Sequence, residues 1–293
     1  PPRSTPKPSS AASDVYKRQI LLSIVLSSCS IAGTWVYERL DSYLADYFKE
    51  YADFSKEQNN EIEKISKDYL DWFSANELPR IKLLIKELKD IKSDNPETTV
   101  FSAYEDGQKI FRRTNSYFEE PIINFSKTLD ENQIIEIGKH FEEIREKREE
   151  EQREEKKNYL DEILENYVSG FDRVGIILRE DQITIIRSKL QTYIPLRAEW
   201  SSLQEEWVNE FIQLLKQNNS KGYEEKMLLF LQSIQSLGDG VFENNADKNQ
   251  ILSIEIISYV FSSSDERQMK NFRRNMDIYL NSINRILSKR SVN

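Results

Sequence analysis

The chain has 293 residues, with 41 basic and 50 acidic side chains, one His and one Cys. Eight Gly and eight Pro are too few turn formers for a β-rich fold of this length, whereas 38% apolar residues suffice for a helical core. The acidic balance disfavours nucleic-acid phosphate and anionic headgroups, which require clustered Lys and Arg, and a single cysteine excludes an intramolecular disulfide.

Residues 1–19 open with a Pro- and Ser-rich stretch, and Ser9 to Gln19 read like translated adapter sequence, so a non-native or disordered leader is expected there. Residues 20–28 follow the basic pair Lys17-Arg18 as a short apolar run. That run is far below the ~20 residues needed to span a bilayer and fits the hydrophobic region of a signal peptide. Leu26, Ser27 and Ser28 precede Cys29 as a lipobox would: an aliphatic residue at −3, then small residues beside the cut. Cys29 is therefore expected to carry a covalent lipid and to begin a mature helical domain, residues 29–293. Ser30, not Asp, follows, and in a Gram-negative cell the resemblance to a lipobox then implies sorting to the outer membrane, with the body facing the periplasm. Without residues 1–28 the chain keeps 37 basic and 49 acidic side chains, net −12.

Beyond Cys29, apolar residues recur at intervals of three and four. Tyr37, Leu40, Leu44, Tyr47, Phe48 and Tyr51 form a first stripe; Ile62, Ile65, Tyr69, Trp72 and Phe73 a second; Ile81, Leu84, Ile85 and Leu88 a third. A weaker helix is expected from Phe101 to Phe118, with a new start at Pro121. Residues 131–168 read as one long charged helix, about 57 Å at 1.5 Å per residue. Its middle, residues 142–157, holds eight acids and six bases, as a solvated strut or overhanging arm would. A stripe from Ile183 to Leu214 contains Pro195, expected to kink it, and helices near 222–237, 248–262 and 265–289 close the chain. The fold class is all-α: an elongated multi-helix bundle of about eight to ten helices.

Four helix starts share a pattern. Gln58, Gln133, Gln182 and Gln268 each follow, by three residues, Ser55, Asp130, Arg179 and Asp265. Ser or Asp at that position is a capping box, in which its oxygen accepts from the glutamine's backbone N–H while the glutamine reaches back to the cap. Phe54, Leu129 and Leu178 stand where a hydrophobic staple would. The spacings of 75, 49 and 86 residues fit no solenoid. Repeated helix-start chemistry and duplication of a helical hairpin both account for the pattern.

The segments YERLD (residues 37–41), YLADYF (43–48), SKEQ (55–58), ELPR (77–80), LDENQ (129–133) and LREDQ (178–182), in this order behind a lipobox, resemble an uncharacterised bacterial lipoprotein family, domain of unknown function 6279. The resemblance implies an address and a helical fold rather than a mechanism. Leu129 with Gln133, and Leu178 with Gln182, also resemble the helix starts of LTxxQ-type periplasmic stress chaperones, with Asp130 and Arg179 in place of Thr.

No catalytic or metal pattern stands out. His140 is the only histidine, too few for a zinc-peptidase helix, and phosphate-loop and nucleophile-elbow motifs are absent. The expectation is a non-enzymatic envelope lipoprotein without metal, cofactor or nucleic acid, anchored through Cys29 and acting as a scaffold for a periplasmic protein partner. The alternative is a chaperone-like or lipid- or peptide-binding helical domain. The aromatic residues between Trp35 and Phe54 serve either core packing or a binding surface.

Overall fold

The computed structural model describes residue 37 and residues 39–154, 158–234, 238 and 240–290. Cys29, the lipobox and the leader lie outside the described residues, as does Trp35. Among the described residues there are eleven helices and no strand: α1 (Leu40–Lys49), α2 (Lys56–Asn76), α3 (Leu78–Lys89), α4 (Pro96–Ser126), α5 (Glu131–Glu154), α6 (Tyr159–Arg173), α7 (Glu180–Leu190), α8 (Arg197–Leu215), α9 (Tyr223–Ser233), α10 (Gly240–Ser263) and α11 (Glu266–Arg290).

The count exceeds the expected eight to ten because two long stripes divide. The first division lies within residues 131–168. Asn158 is extended, with φ −63° and ψ 134°, and its side chain caps α6 by accepting from the Leu160 N–H at 3.1 Å. The long charged helix therefore ends and restarts. Nor do residues 145–149 of its charged part overhang: Arg145, Arg148 and Glu149 are half-covered, and Arg148 donates to the Gln204 side chain on α8 at 2.9 Å. Arg145 pairs with Glu142 and Glu149 along the helix. The second division falls before Pro195, where a kink was expected and α7 instead stops at Leu190. Proline pushes the preceding residue toward extended backbone. The freed peptide groups of Ile194 are taken by Asn249 of α10, whose side chain accepts from the Ile194 N–H at 2.9 Å and donates to its carbonyl at 2.7 Å.

Pro121 has the opposite outcome: α4 runs straight through it. An interior proline costs about 3 kcal/mol. Here Val100, Ile110 and Thr114 are buried before it and Ile123 and Ser126 after it, so ending the helix would expose a face used at both ends.

The helices enclose two cores. The larger draws on Tyr69, Leu70 and Phe73 of α2, Ile81 and Ile85 of α3, Val100 and Ile110 of α4, Ile186 and Leu190 of α7, Ile256 and Val260 of α10, and Phe272, Met276 and Ile283 of α11. The smaller joins Ala45 of α1 and Ile62 of α2 to Ile123 of α4, Ile134 and Ile137 of α5, Leu215 of α8, and Met227 and Phe230 of α9. Thus α2 and α4 contribute to both cores. At 31 residues, α4 is about 46 Å long and serves as the common axis.

Candidate functional site

The four recurrent glutamines meet in pairs. At the start of α2, the Gln58 backbone N–H donates to Ser55 Oγ at 3.2 Å, and Gln58 Oε1 accepts from the Ser55 N–H at 2.8 Å. At the start of α5, the Gln133 N–H donates to Asp130 Oδ1 at 2.9 Å, and Gln133 Oε1 accepts from the Asp130 N–H at 3.1 Å. Both boxes are complete, and they interlock: Gln58 Nε2 donates to Gln133 Oε1 at 2.9 Å, and Gln133 Nε2 to Gln58 Oε1 at 2.7 Å. Each amide then reaches past its partner, Gln58 to the Thr128 carbonyl at 2.9 Å and Gln133 to the Asp53 carbonyl at 3.1 Å.

The second pair repeats this between α7 and α11. Gln268 closes a full box with Asp265, at 2.8 and 3.1 Å. Gln182 accepts from the Arg179 N–H at 3.0 Å, but a guanidinium has no acceptor to return, so that box is half formed. Gln268 Nε2 donates to Gln182 Oε1 at 2.9 Å and to the Ile177 carbonyl at 2.7 Å, while Gln182 Nε2 donates to Ser263 Oγ at 2.9 Å. Arg179 works across the joint instead, donating to Gln268 Oε1 at 2.7 Å and to the Ser263 carbonyl at 3.1 Å. Asp53, Thr128, Ile177 and Ser263 each lie two residues before a cap, so all four glutamines reach the same place in the partner motif. The four glutamines are buried, as are Phe54, Leu129 and Leu178. The irregular spacings now have a reason: the unit is the pair, Gln58 with Gln133 and Gln182 with Gln268.

Sequence reasoning passed over the hinge between α2 and α3. Glu77 caps both helices and is 1% exposed. Arg113 of α4 grips it with both arms of the guanidinium, Nε to Oε1 at 2.7 Å and Nη2 to Oε2 at 2.8 Å. The carboxylate hydrogen bond raises the pKa of Arg113 further. The signal was in ELPR, where an acid precedes a proline-containing helix start.

The aromatic residues in and around α1 divide between core and surface. Tyr37 and Phe54 are buried, whereas Tyr43 and Tyr47 are about half exposed, at 52% and 49%. Tyr47 lies edge-on to Phe48 at 5.7 Å and to Tyr51 at 5.6 Å, and the Tyr47 and Tyr51 hydroxyls share a hydrogen bond of 2.9 Å. Tyr51 in turn packs on His140 at 4.3 Å and on Phe141 at 5.2 Å, which places the single histidine against a phenol rather than among ligands. Burial pushes the Tyr51 hydroxyl far above the usual tyrosine range.

Among the described residues, no group of three His, Cys, Asp or Glu is placed to hold a metal ion, and no helix is long and apolar enough to cross a membrane. A recess of about 400 Å³ lies beside Asn218, Tyr223 and Glu224. Its polar groups serve the fold: Asn218 donates to the Ser126 and Leu129 carbonyls at 2.9 Å, and the Tyr223 hydroxyl to Ser126 Oγ at 2.6 Å.

These features define an all-helical protein with two cores and two glutamine clasps at its helix starts. The chain belongs to a family described as a family of unknown function (DUF6279), which it matches over residues 50–240. That span contains the first clasp and Gln182, while Gln268 lies beyond it. No curated protein matches the chain. No solved structure matches it either.

Proposed function

We propose that this protein is a non-enzymatic envelope lipoprotein, a helical frame held to the outer membrane by a lipid on Cys29 that presents its periplasmic surface to a protein partner. The observation that supports the scaffold reading is the use of the recurring glutamines. Gln58, Gln133, Gln182 and Gln268 are buried and committed to fixing pairs of helix ends, which is what a rigid frame requires. The surface such a frame presents includes the charged ridge of α5, where Glu142, Glu143, Glu146, Lys147 and Glu150 are exposed.

Crosslinking in cells tests the partner: a discrete adduct larger than the monomer is expected, and recovery of monomer alone sinks the scaffold reading. A fatty-acid probe tests the anchor. Cys29→Ala should lose label and leave the membrane fraction, and unchanged labelling overturns the lipid on Cys29. The alternative, a chaperone-like or lipid- or peptide-binding domain, draws on the exposed rings of Tyr43 and Tyr47. It requires the purified protein to slow aggregation of a denatured client, and it fails if no slowing is seen.

A further inference from the structure

We infer that the exposed aromatic face of α1 is a membrane-contact surface that lies in the headgroup region of the bilayer. This inference rests on the proposal that Cys29 is lipidated.

The face is set by helical geometry. At about 100° per residue, Tyr43 and Tyr47 fall about 40° apart on α1, and Phe48 lies next to Tyr47, edge-on to its ring at 5.7 Å. Asp46 and Glu50 lie together on one flank of this face, both exposed. The rest of the helix faces the protein: Ala45 is buried in the smaller core, Leu40 and Leu44 pack against the larger one, and Lys49 reaches Glu63 of α2 at 2.5 Å. The exposed rings on α1 are Tyr43, Tyr47 and Phe48, with Asp46 and Glu50 beside the two tyrosines.

Two observations select the bilayer as occupant. One is the chain length to the anchor. Leu40, where α1 begins, is eleven residues from Cys29. A fully extended chain of that length spans at most about 40 Å, so a lipidated protein holds α1 within that distance of its anchor. A surface held there meets lipid at a far higher effective concentration than any diffusing partner. The other observation is composition. Tyrosine rings with a polar tip are suited to the membrane–water interface, where the ring contacts acyl chain and the hydroxyl stays wet. Tyr43 and Tyr47 present half-exposed rings of this kind. The acids on the flank and the engagement of Lys49 with Glu63 fit a zwitterionic headgroup layer rather than an anionic one.

The test uses the full chain in cells. A photo-reactive benzophenone residue replaces Tyr47 in one variant and Phe101 in a control; Phe101 is equally exposed, at 49%, but lies on α4. After irradiation, mass spectrometry of the purified protein should show a phospholipid adduct at position 47 and its loss at position 101. A protein adduct at 47, no adduct at 47, or equal lipid adducts at both positions overturns the inference. Fatty-acid labelling of the same samples reports on Cys29 separately. Labelled protein without a lipid adduct at 47 retains the anchor and rejects the face, whereas unlabelled protein without an adduct rejects both.

Discussion

Gln58 and Gln133 each donate to the other's side-chain oxygen, at 2.9 and 2.7 Å, while the same oxygens accept from the backbone at the starts of α2 and α5. Two helix N-termini carry partial positive charge and would repel if brought together bare. A glutamine serves this joint because it offers an acceptor to its own cap and a donor to the neighbour's chain. Aspartate or glutamate would supply only acceptors, and lysine only donors.

Truncating one member should expose this coupling. Gln133→Ala removes the return bond to Asp130, the exchange with Gln58 and the bond to the Asp53 carbonyl, leaving buried groups unpartnered. The expected cost is about 2–3 kcal/mol. The double variant Gln58→Ala/Gln133→Ala should be less destabilised than the sum of the singles, by about 1 kcal/mol or more. Urea unfolding midpoints measure all three, and strict additivity would mean that the two amides act independently.

Arg113→Met should destabilise through Glu77 rather than through its own loss. The carboxylate is almost wholly buried and would keep only Arg80, at 3.9 Å. Breaking a buried pair costs about 3–5 kcal/mol. Arg113 itself is 37% exposed, so solvent screens part of the interaction and a smaller cost, about 2–3 kcal/mol, is expected. Glu77→Gln/Arg113→Met, which removes the orphaned charge, should recover part of the loss in the same unfolding assay. A double variant weaker than Arg113→Met would refute this account.

Alkaline pH should weaken the fold through Tyr37. Burial pushes its hydroxyl up to about 12, against the opposing effects of Ser74 and of Arg290, which lies over the ring at 5.9 Å. The unfolded chain ionises near pH 10, so between pH 10 and 12 it releases a proton that the folded protein keeps. Tyr37 therefore contributes stability that is intact below pH 10 and lost as pH rises toward 12, about 2–3 kcal/mol in all. Burial raises Tyr69 in the same direction. Tyr37→Phe should flatten the fall of Tm across that window, and an unchanged slope would contradict the assignment.

The helical class was legible because periodicity and scarcity of turn residues are local properties: the stripes of α2 and α3 lie where threes and fours placed them. The capping boxes at Ser55, Asp130 and Asp265 were legible for the same reason. Their pairing was not, because nothing in a window of five residues says which distant helix start it will meet. The two prolines show the same limit. Pro121 is overridden by burial on both sides of it, while Pro195 prevails because Asn249, more than fifty residues away in sequence, receives the backbone it frees. Asn158 did carry a local signal, an N-cap residue ahead of Tyr159 and Leu160, but the unbroken charge run masked it. The division of the aromatic residues around α1 into buried Tyr37 and exposed Tyr47 depends on what this segment packs against, which no periodicity specifies.

Gly175 should be irreplaceable for two reasons that act at the same atom. The end of α6 closes as a Schellman motif: the Ile176 N–H returns to the Phe171 carbonyl at 2.8 Å and the Gly175 N–H to the Asp172 carbonyl at 2.9 Å. This requires the left-handed backbone seen at Gly175, φ 88°, which costs an L-residue about 1–2 kcal/mol. The space is also taken, since a Cβ there would lie 2.3 Å from Asn275 Nδ2 and 3.0 Å from the Asn271 carbonyl oxygen of α11. Asn275 can swing away, but the backbone carbonyl cannot without shifting α11. Gly175→Ala should therefore lose more than the backbone penalty alone, about 2 kcal/mol or more. Gly175→Ala/Asn275→Ala, measured by thermal unfolding, should recover the side-chain clash only. Full recovery in that double variant would show that the left-handed turn contributes nothing, and that α6 can end another way.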